Sequence, residues 1–156
     1  MCKKFSDNNN YLSQILLKTM KGPNNMGDYC GTARSNYFRV KDKQKFIDWC
    51  DSLELKPIYK VNEIAKDELC GFLVNTEFGS VPTHRGDEDI DFFIELSTHL
   101  TDGEVAVVVE IGAEKMRYIC GFADAVNSKG EVVSMCLDDI YEKAEKLGNN
   151  ITYVEY

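Results

Sequence analysis

The sequence predicts an α+β domain in which an antiparallel β-sheet carries helices packed on one face. Three observations lead there. Short segments rich in β-branched and aromatic residues recur between Gly, Asn, Asp and Pro turn signals. Other segments place apolar residues at three- and four-residue spacing, as amphipathic helices do. Finally, the order helix, strand, strand occurs twice. A shift of 47 positions lays Phe46-Ile47-Asp48 on Phe93-Ile94-Glu95, Leu53 on Leu100 and Glu63-Ile64 on Glu110-Ile111. Three more residues in the second hairpin bring Cys70-Gly71-Phe72 onto Cys120-Gly121-Phe122. An internal αββ duplication would give the order β-αββ-αββ-α-β.

Residues 1–33 read as a mobile or loosely docked leader, and 34–156 as a single α+β domain. In the leader, breakers such as Lys21-Gly-Pro-Asn-Asn25 surround one short amphipathic stretch, Leu12 to Met20. Regular structure is expected to start with a strand over Ser35 to Val40. Asp42 is placed to cap a helix whose Phe46, Trp49, Cys50 and Leu53 share a face. Pro57 restarts the chain toward the strands Ile58 to Val61 and Leu69 to Val74, and 75–87 reads as loop. A helix from Asp89 to Leu100 would turn Ile90, Phe93, Ile94, Ser97 and Leu100 inward, with Asp87 or Asp89 as cap. Glu104 to Ile111 is the clearest strand, and it is followed by strands over Lys115 to Val126 and Val132 to Met135. Asp138 to Leu147 gives a last helix and Ile151 to Tyr156 a last strand. In both Cys-Gly-Phe triplets the Gly marks a bulge or close backbone approach, and the Cys acts as a small buried hydrophobe.

Charge narrows the function. The 156 residues carry 18 basic and 26 acidic side chains, a formal net charge of −8. Residues 1–60 hold 11 basic and 6 acidic, net +5, so residues 61–156 hold 7 and 20, net −13. Such a chain is repelled at long range by duplex DNA and by anionic membranes. No stretch approaches the ~20 apolar residues of a membrane span, and Tyr11-Leu-Ser-Gln-Ile-Leu-Leu17 is too short and polar for a signal-peptide core. Six widely spaced cysteines with no Cys-x-x-Cys pair argue against a zinc or redox site and for free thiols in a reducing cytoplasm.

Few residues offer catalytic chemistry. The two histidines are His84, in a Thr-His-Arg-Gly loop, and His99, near a helix end where a cation suits the dipole. Cys30 with His84 could be written as nucleophile and base, without any local signature to support it. The run Asp87-Glu-Asp-Ile-Asp91 spaces acids like a calcium loop, but Phe92 and Thr98 stand where an EF-hand needs Gly and Glu. No metal or other cofactor is expected. Two surfaces remain as binding candidates. One is acidic: Asp87, Glu88, Asp89, Asp91 and Glu95 at one helix start, and Asp138, Asp139, Glu142 and Glu145 at another. These acids either cap and solvate their helices or face a positively charged partner. The other is basic and aromatic: Tyr37 with Arg39, Lys41, Lys43 and Lys45, beside Arg34 and Phe38, a pattern that binds single strands by stacking and phosphate contact.

Ser35-Asn-Tyr-Phe-Arg-Val-Lys-Asp42, Gly103-Glu-Val-Ala-Val-Val-Val-Glu-Ile-Gly-Ala-Glu-Lys115, Tyr118-Ile-Cys-Gly-Phe-Ala-Asp-Ala-Val-Asn127 and Leu137-Asp-Asp-Ile-Tyr141 together resemble a family of small, mostly uncharacterised proteins of bacteriophages, plasmids and integrated elements. The resemblance covers roughly residues 34–147, and its motifs are framework rather than catalytic signature. It implies a counter-defence role of the anti-CRISPR kind by association with mobile elements. The expected function is therefore a non-enzymatic inhibitor in the cytoplasm of the bacterial host. It would offer the acidic clusters to a host defence effector protein or ribonucleoprotein, in competition with nucleic acid. The alternative is an accessory module that binds nucleic acid or a replication protein through the basic 34–45 stretch. Self-association through the apolar 104–111 strand, if it lies at a sheet edge, is compatible with either.

Overall fold

The computed structural model describes residues 29–61, 63–74, 79–114, 118–148 and 150–154. In chain order the elements are β1 (Tyr29–Ser35), α1 (Lys43–Ser52), β2 (Leu55–Val61), β3 (Glu68–Val74), β4 (His84–Arg85), β5 (Glu88–Asp89), α2 (Phe92–His99), β6 (Val105–Glu114), β7 (Tyr118–Asn127), β8 (Val132–Cys136) and α3 (Asp139–Ala144). Six strands form one sheet in the order β2-β3-β1-β6-β7-β8, antiparallel at every junction, while β4 and β5 pair as a separate hairpin. This is the α+β architecture the periodicity predicts.

Strand alternation makes two unlike faces. The register pairs Ser35 with Val108, Val108 with Asp124, and Ala106 with Val126, so these side chains share one face. That face takes α1 and α2. Asp42 caps α1 by accepting from the backbone N–H groups of Gln44 and Lys45, and Phe46, Trp49, Cys50 and Leu53 are buried as their spacing requires. An aromatic cluster fills the space between helices and sheet: Trp49 lies 5.4 Å from Phe92 and 6.1 Å from Phe72, and Phe38 meets Phe46 edge to face at 5.7 Å. Edge-to-face contact brings positive ring edges onto negative ring faces.

Five expectations need correction. The leader was expected to extend to residue 33, but residues 29–33 belong to β1 in the middle of the sheet; residues 1–28, with Leu12 to Met20, lie outside the described residues. The strand expected over Ser35 to Val40 ends at Ser35. The Asn36 side chain donates to the Val105 carbonyl and accepts from Val107 N–H, standing in for a backbone partner of β6. Asn36 N–H makes the last backbone bond to β6, at the Val107 carbonyl, and beyond it Phe38 and Val40 bridge to Cys70 and Leu100. The second helix begins at Phe92, three residues later than expected, because Asp89 is held in the β4-β5 hairpin and Asp91 takes the cap. Its buried stripe is therefore Phe92, Leu96 and Leu100, and Ile94 faces outward. The last helix spans only Asp139–Ala144, and residues 151–154 form no strand; 155–156 lie outside the described residues.

The fifth correction concerns the layers. The register pairs Ile111 with Gly121 on the face opposite the core, and a Cβ on Gly121 would lie 3.0 Å from Leu137. Leu137 and α3 therefore sit on the second face, so the helices are not all on one side. The two Cys-Gly-Phe triplets are alike at the glycine but not at its neighbours, since Cys120 and Phe122 are only half-buried. Cys70 and Phe72 are buried, and Gly71 admits the Asn36 carbonyl to 2.6 Å of its missing Cβ, while Gly121 admits Leu137. In both places glycine lets another segment cross the sheet. The αββ order recurs, but β2 is an edge strand and β6 an interior one, so the halves differ in placement.

Candidate partner-binding surfaces

The acidic run 87–91 is shaped by one glycine. Gly86 has φ +59 at the first position of a two-residue turn between Arg85 and Glu88, a conformation that costs glycine little. The hairpin is tied down at its base. Ile90 is buried and its N–H donates to the Thr83 carbonyl, Arg85 Nε donates to Ser52 Oγ at 3.2 Å, and the Arg85 guanidinium pairs with Glu95. Beyond this base Asp87, Glu88 and Asp89 are exposed, as is the capping Asp91. His84 Nε2 approaches Asp89 to 2.8 Å.

Glu95 has a different role from its neighbours. Besides the Arg85 pair, it accepts from Trp49 Nε1 at 2.8 Å, so one carboxylate joins α1, α2 and the hairpin. It is a structural anchor, not an offered charge. The second acidic group is divided too: Asp139 accepts from Cys136 N–H, whereas Glu142 on α3 and Glu145 just after it are exposed. Because α3 lies on the face opposite α2, the sheet separates the two acidic clusters, and one flat groove does not meet both.

The basic stretch is largely engaged within the protein. Arg39 pairs with Asp67 and Glu104, Lys43 with Glu68 at 2.7 Å and over the Tyr59 ring, and Lys45 with Asp42 at 3.8 Å; Lys41 Nζ donates to the Thr98 carbonyl. The carboxylates around them raise the pKa of Arg39 and Lys43 and hold both charges in place, chiefly through side-chain hydrogen bonds. Tyr37 instead faces the open side of the sheet between Arg34 and Lys60, 5.8 and 6.0 Å from its ring centre. Arg39, Lys41, Lys43 and Lys45 are thus engaged elsewhere, and the cations at Tyr37 are its near neighbour Arg34 and Lys60 of β2. Only the fold brings Lys60 to Tyr37, so local spacing carries no sign of it.

Cys30 and His84 are not brought together: Cys30 points from β1 to the open face, and His84 sits on the hairpin at the helix side. His99 packs on the Trp49 and Phe46 rings at 5.2 and 6.0 Å, and burial pushes its pKa down, so the expected cation at the helix end is disfavoured. Two carboxyls escaped the sequence reading because they sit inside strands. Glu110 accepts from Val81 N–H at 3.1 Å and from Ser80, while Asp124 accepts from Ser134; burial raises the pKa of both, and the nearby Asp124 adds to the cost of charging Glu110. Among the described residues no three His, Cys, Asp or Glu side chains are grouped to hold a metal ion, and no helix is long and apolar enough to cross a membrane.

The fold and surfaces define a small α+β protein with an anchored acidic hairpin on one side and an open sheet face on the other. Comparison with protein-family models, with curated proteins and with solved structures gives no match.

Proposed function

We propose that this chain is a non-enzymatic inhibitor of a bacterial defence nucleoprotein, of the counter-defence type its mobile-element resemblance implies. It binds the effector through the acidic hairpin and competes there with nucleic acid. The observation that carries this reading is the hairpin itself. Asp87, Glu88 and Asp89 project from a turn whose base is fixed by the Arg85–Glu95 pair, so carboxylates are presented with little ordering left to pay for on binding. A groove lined by Arg and Lys accepts such carboxylates in place of phosphates, with an on-rate that falls as salt rises. The −13 charge of residues 61–156 steers the approach. The clusters play unequal parts: Asp87, Glu88, Asp89 and Asp91 make the contact, Glu95 holds it rigid, and Asp138, Asp139, Glu142 and Glu145 lie outside it.

The test is competition between this protein and DNA for a purified defence nucleoprotein that the wild-type chain inhibits. Charge reversal at Asp87, Glu88 and Asp89 should weaken binding by about a hundredfold or more, with a shallower salt dependence. Reversal at Glu142 and Glu145 should leave it within about twofold. Equal loss from both sets, or none from the first, would overturn the reading.

A further inference from the structure

We propose that the open face of the sheet is the docking site for a second copy of this chain, giving a symmetric dimer whose two-fold axis runs parallel to the strands. The observation is a gradient across that face. At the β2-β3-β1 end its outward positions include Lys56, Lys60 and Arg34, with Tyr37 between the last two, and no carboxylate occupies an open-face position of these three strands. In the middle, β6 offers Val109 and Ile111, 49% and 54% exposed, and β8 adds Val133 and Met135 at 74% and 50%. At the far end Ile140 of α3 closes an apolar groove of about 420 Å³ with Val109, Ile111 and Met135. Beyond it residues 137–148 carry four acids and two lysines, net −2. Soluble monomers seldom leave so continuous an apolar surface uncovered.

This order, basic then apolar then acidic, complements itself under one operation. Rotation by half a turn about an axis parallel to the strands reverses strand order and turns the face over, so the Lys56–Lys60 end of each copy meets the α3 end of the other. The apolar strips meet in the middle. The perpendicular in-plane axis sets basic on basic and acidic on acidic, and repulsion disfavours it. Shape agrees with charge. Packed sheets stand ~10 Å apart, about the diameter of a helix. Among the described residues α3 is the single helix on this face, and it therefore fits over the end of its partner that carries none. Each contact made by residue i on residue j occurs twice, as an isologous interface requires. The edge-strand route to self-association is overturned in the same structure, since β6 lies between β1 and β7.

Sedimentation or light scattering on the full chain as a function of concentration should show a reversible monomer–dimer equilibrium. Lys56→Glu with Lys60→Glu, or Glu142→Lys with Glu145→Lys, should each raise the dimer Kd by about tenfold or more. All four side chains are exposed, so the fold survives. Mixed in equal amounts, the two charge-swapped proteins should restore association, because both ends of the heterodimer are again opposite in sign. A full chain that stays monomeric at ~100 μM would overturn the proposal. So would a dimer indifferent to both swaps, or swapped proteins that fail to pair with each other.

Discussion

The two faces of the sheet are built from the same alternating strands, yet among the described residues one is sealed and the other is not. On β6 the even positions Ala106 and Val108 are 0% and 2% exposed, while the odd positions Val109 and Ile111 are about half exposed. Composition does not distinguish them. What differs is whether an amphipathic helix of sufficient length reaches that side: α1 and α2 cover the first face, and the six-residue α3 covers only a corner of the second. Side chains on the sealed face hold the fold, and those on the open face are available for contact with another molecule.

That contrast can be tested by substitution. Phe46→Ala on the sealed face should cost about 3–5 kcal/mol in chemical denaturation, because the cavity beneath Phe38 and Trp49 cannot collapse. Glu95→Ala should cost about 1–3 kcal/mol by the same measurement, since it leaves Trp49 Nε1 and Arg85 without their acceptor. Asp42→Ala should cost about 1 kcal/mol by removing the cap of α1. A smaller effect is expected from pH. The folded pKa values of Glu110 and Asp124 lie above their ordinary values of 4.5 and 3.8, so the folded state binds these protons more tightly than the unfolded state. The resulting stabilisation is complete below the ordinary values and is lost as pH rises through the raised ones. A Glu110→Gln, Asp124→Asn variant should therefore gain on the wild type as pH increases over that window, measured as the difference in unfolding free energy at each pH. Least of all, Val133→Ser on the open face should change monomer stability by no more than ~0.5 kcal/mol; a loss several times larger would mean that the two faces are not as different as they look.

Much of the fold was legible in the sequence, because helix α1, strands β2, β3, β6 and β8, and the Asn127–Gly130 turn follow from local spacing and turn residues alone. The misplaced elements depended on partners distant in the chain. Asn36 ends β1 through hydrogen bonds 69 and 71 residues away, which no window of sequence displays. Asp91 displaced Asp87 and Asp89 as cap because pairing with His84 and Arg85 claimed the preceding residues for a hairpin. The candidate sites were legible only as residue types. Composition marks Glu95 and Asp89 equally as acids; Trp49, 46 positions away, turns the first into an anchor. The side of the sheet taken by α3 was hidden for the same reason, since it follows from Leu137 lying over Gly121.

The position of β1 also constrains how the chain folds. It is the earliest described strand, yet it sits between β3 and β6, and its register runs from Tyr29 with Glu114 to Ser35 with Val108. The hairpin β2-β3 and the meander β6-β7-β8 each form from neighbours in sequence, but they join into one sheet only when β1 bridges them. That step closes loops of more than 70 residues, so it carries a large entropic cost before any contact compensates for it, and it should dominate the folding barrier. During synthesis β1 leaves the ribosome before the other described strands and must wait for β6 to emerge before its second edge is paired.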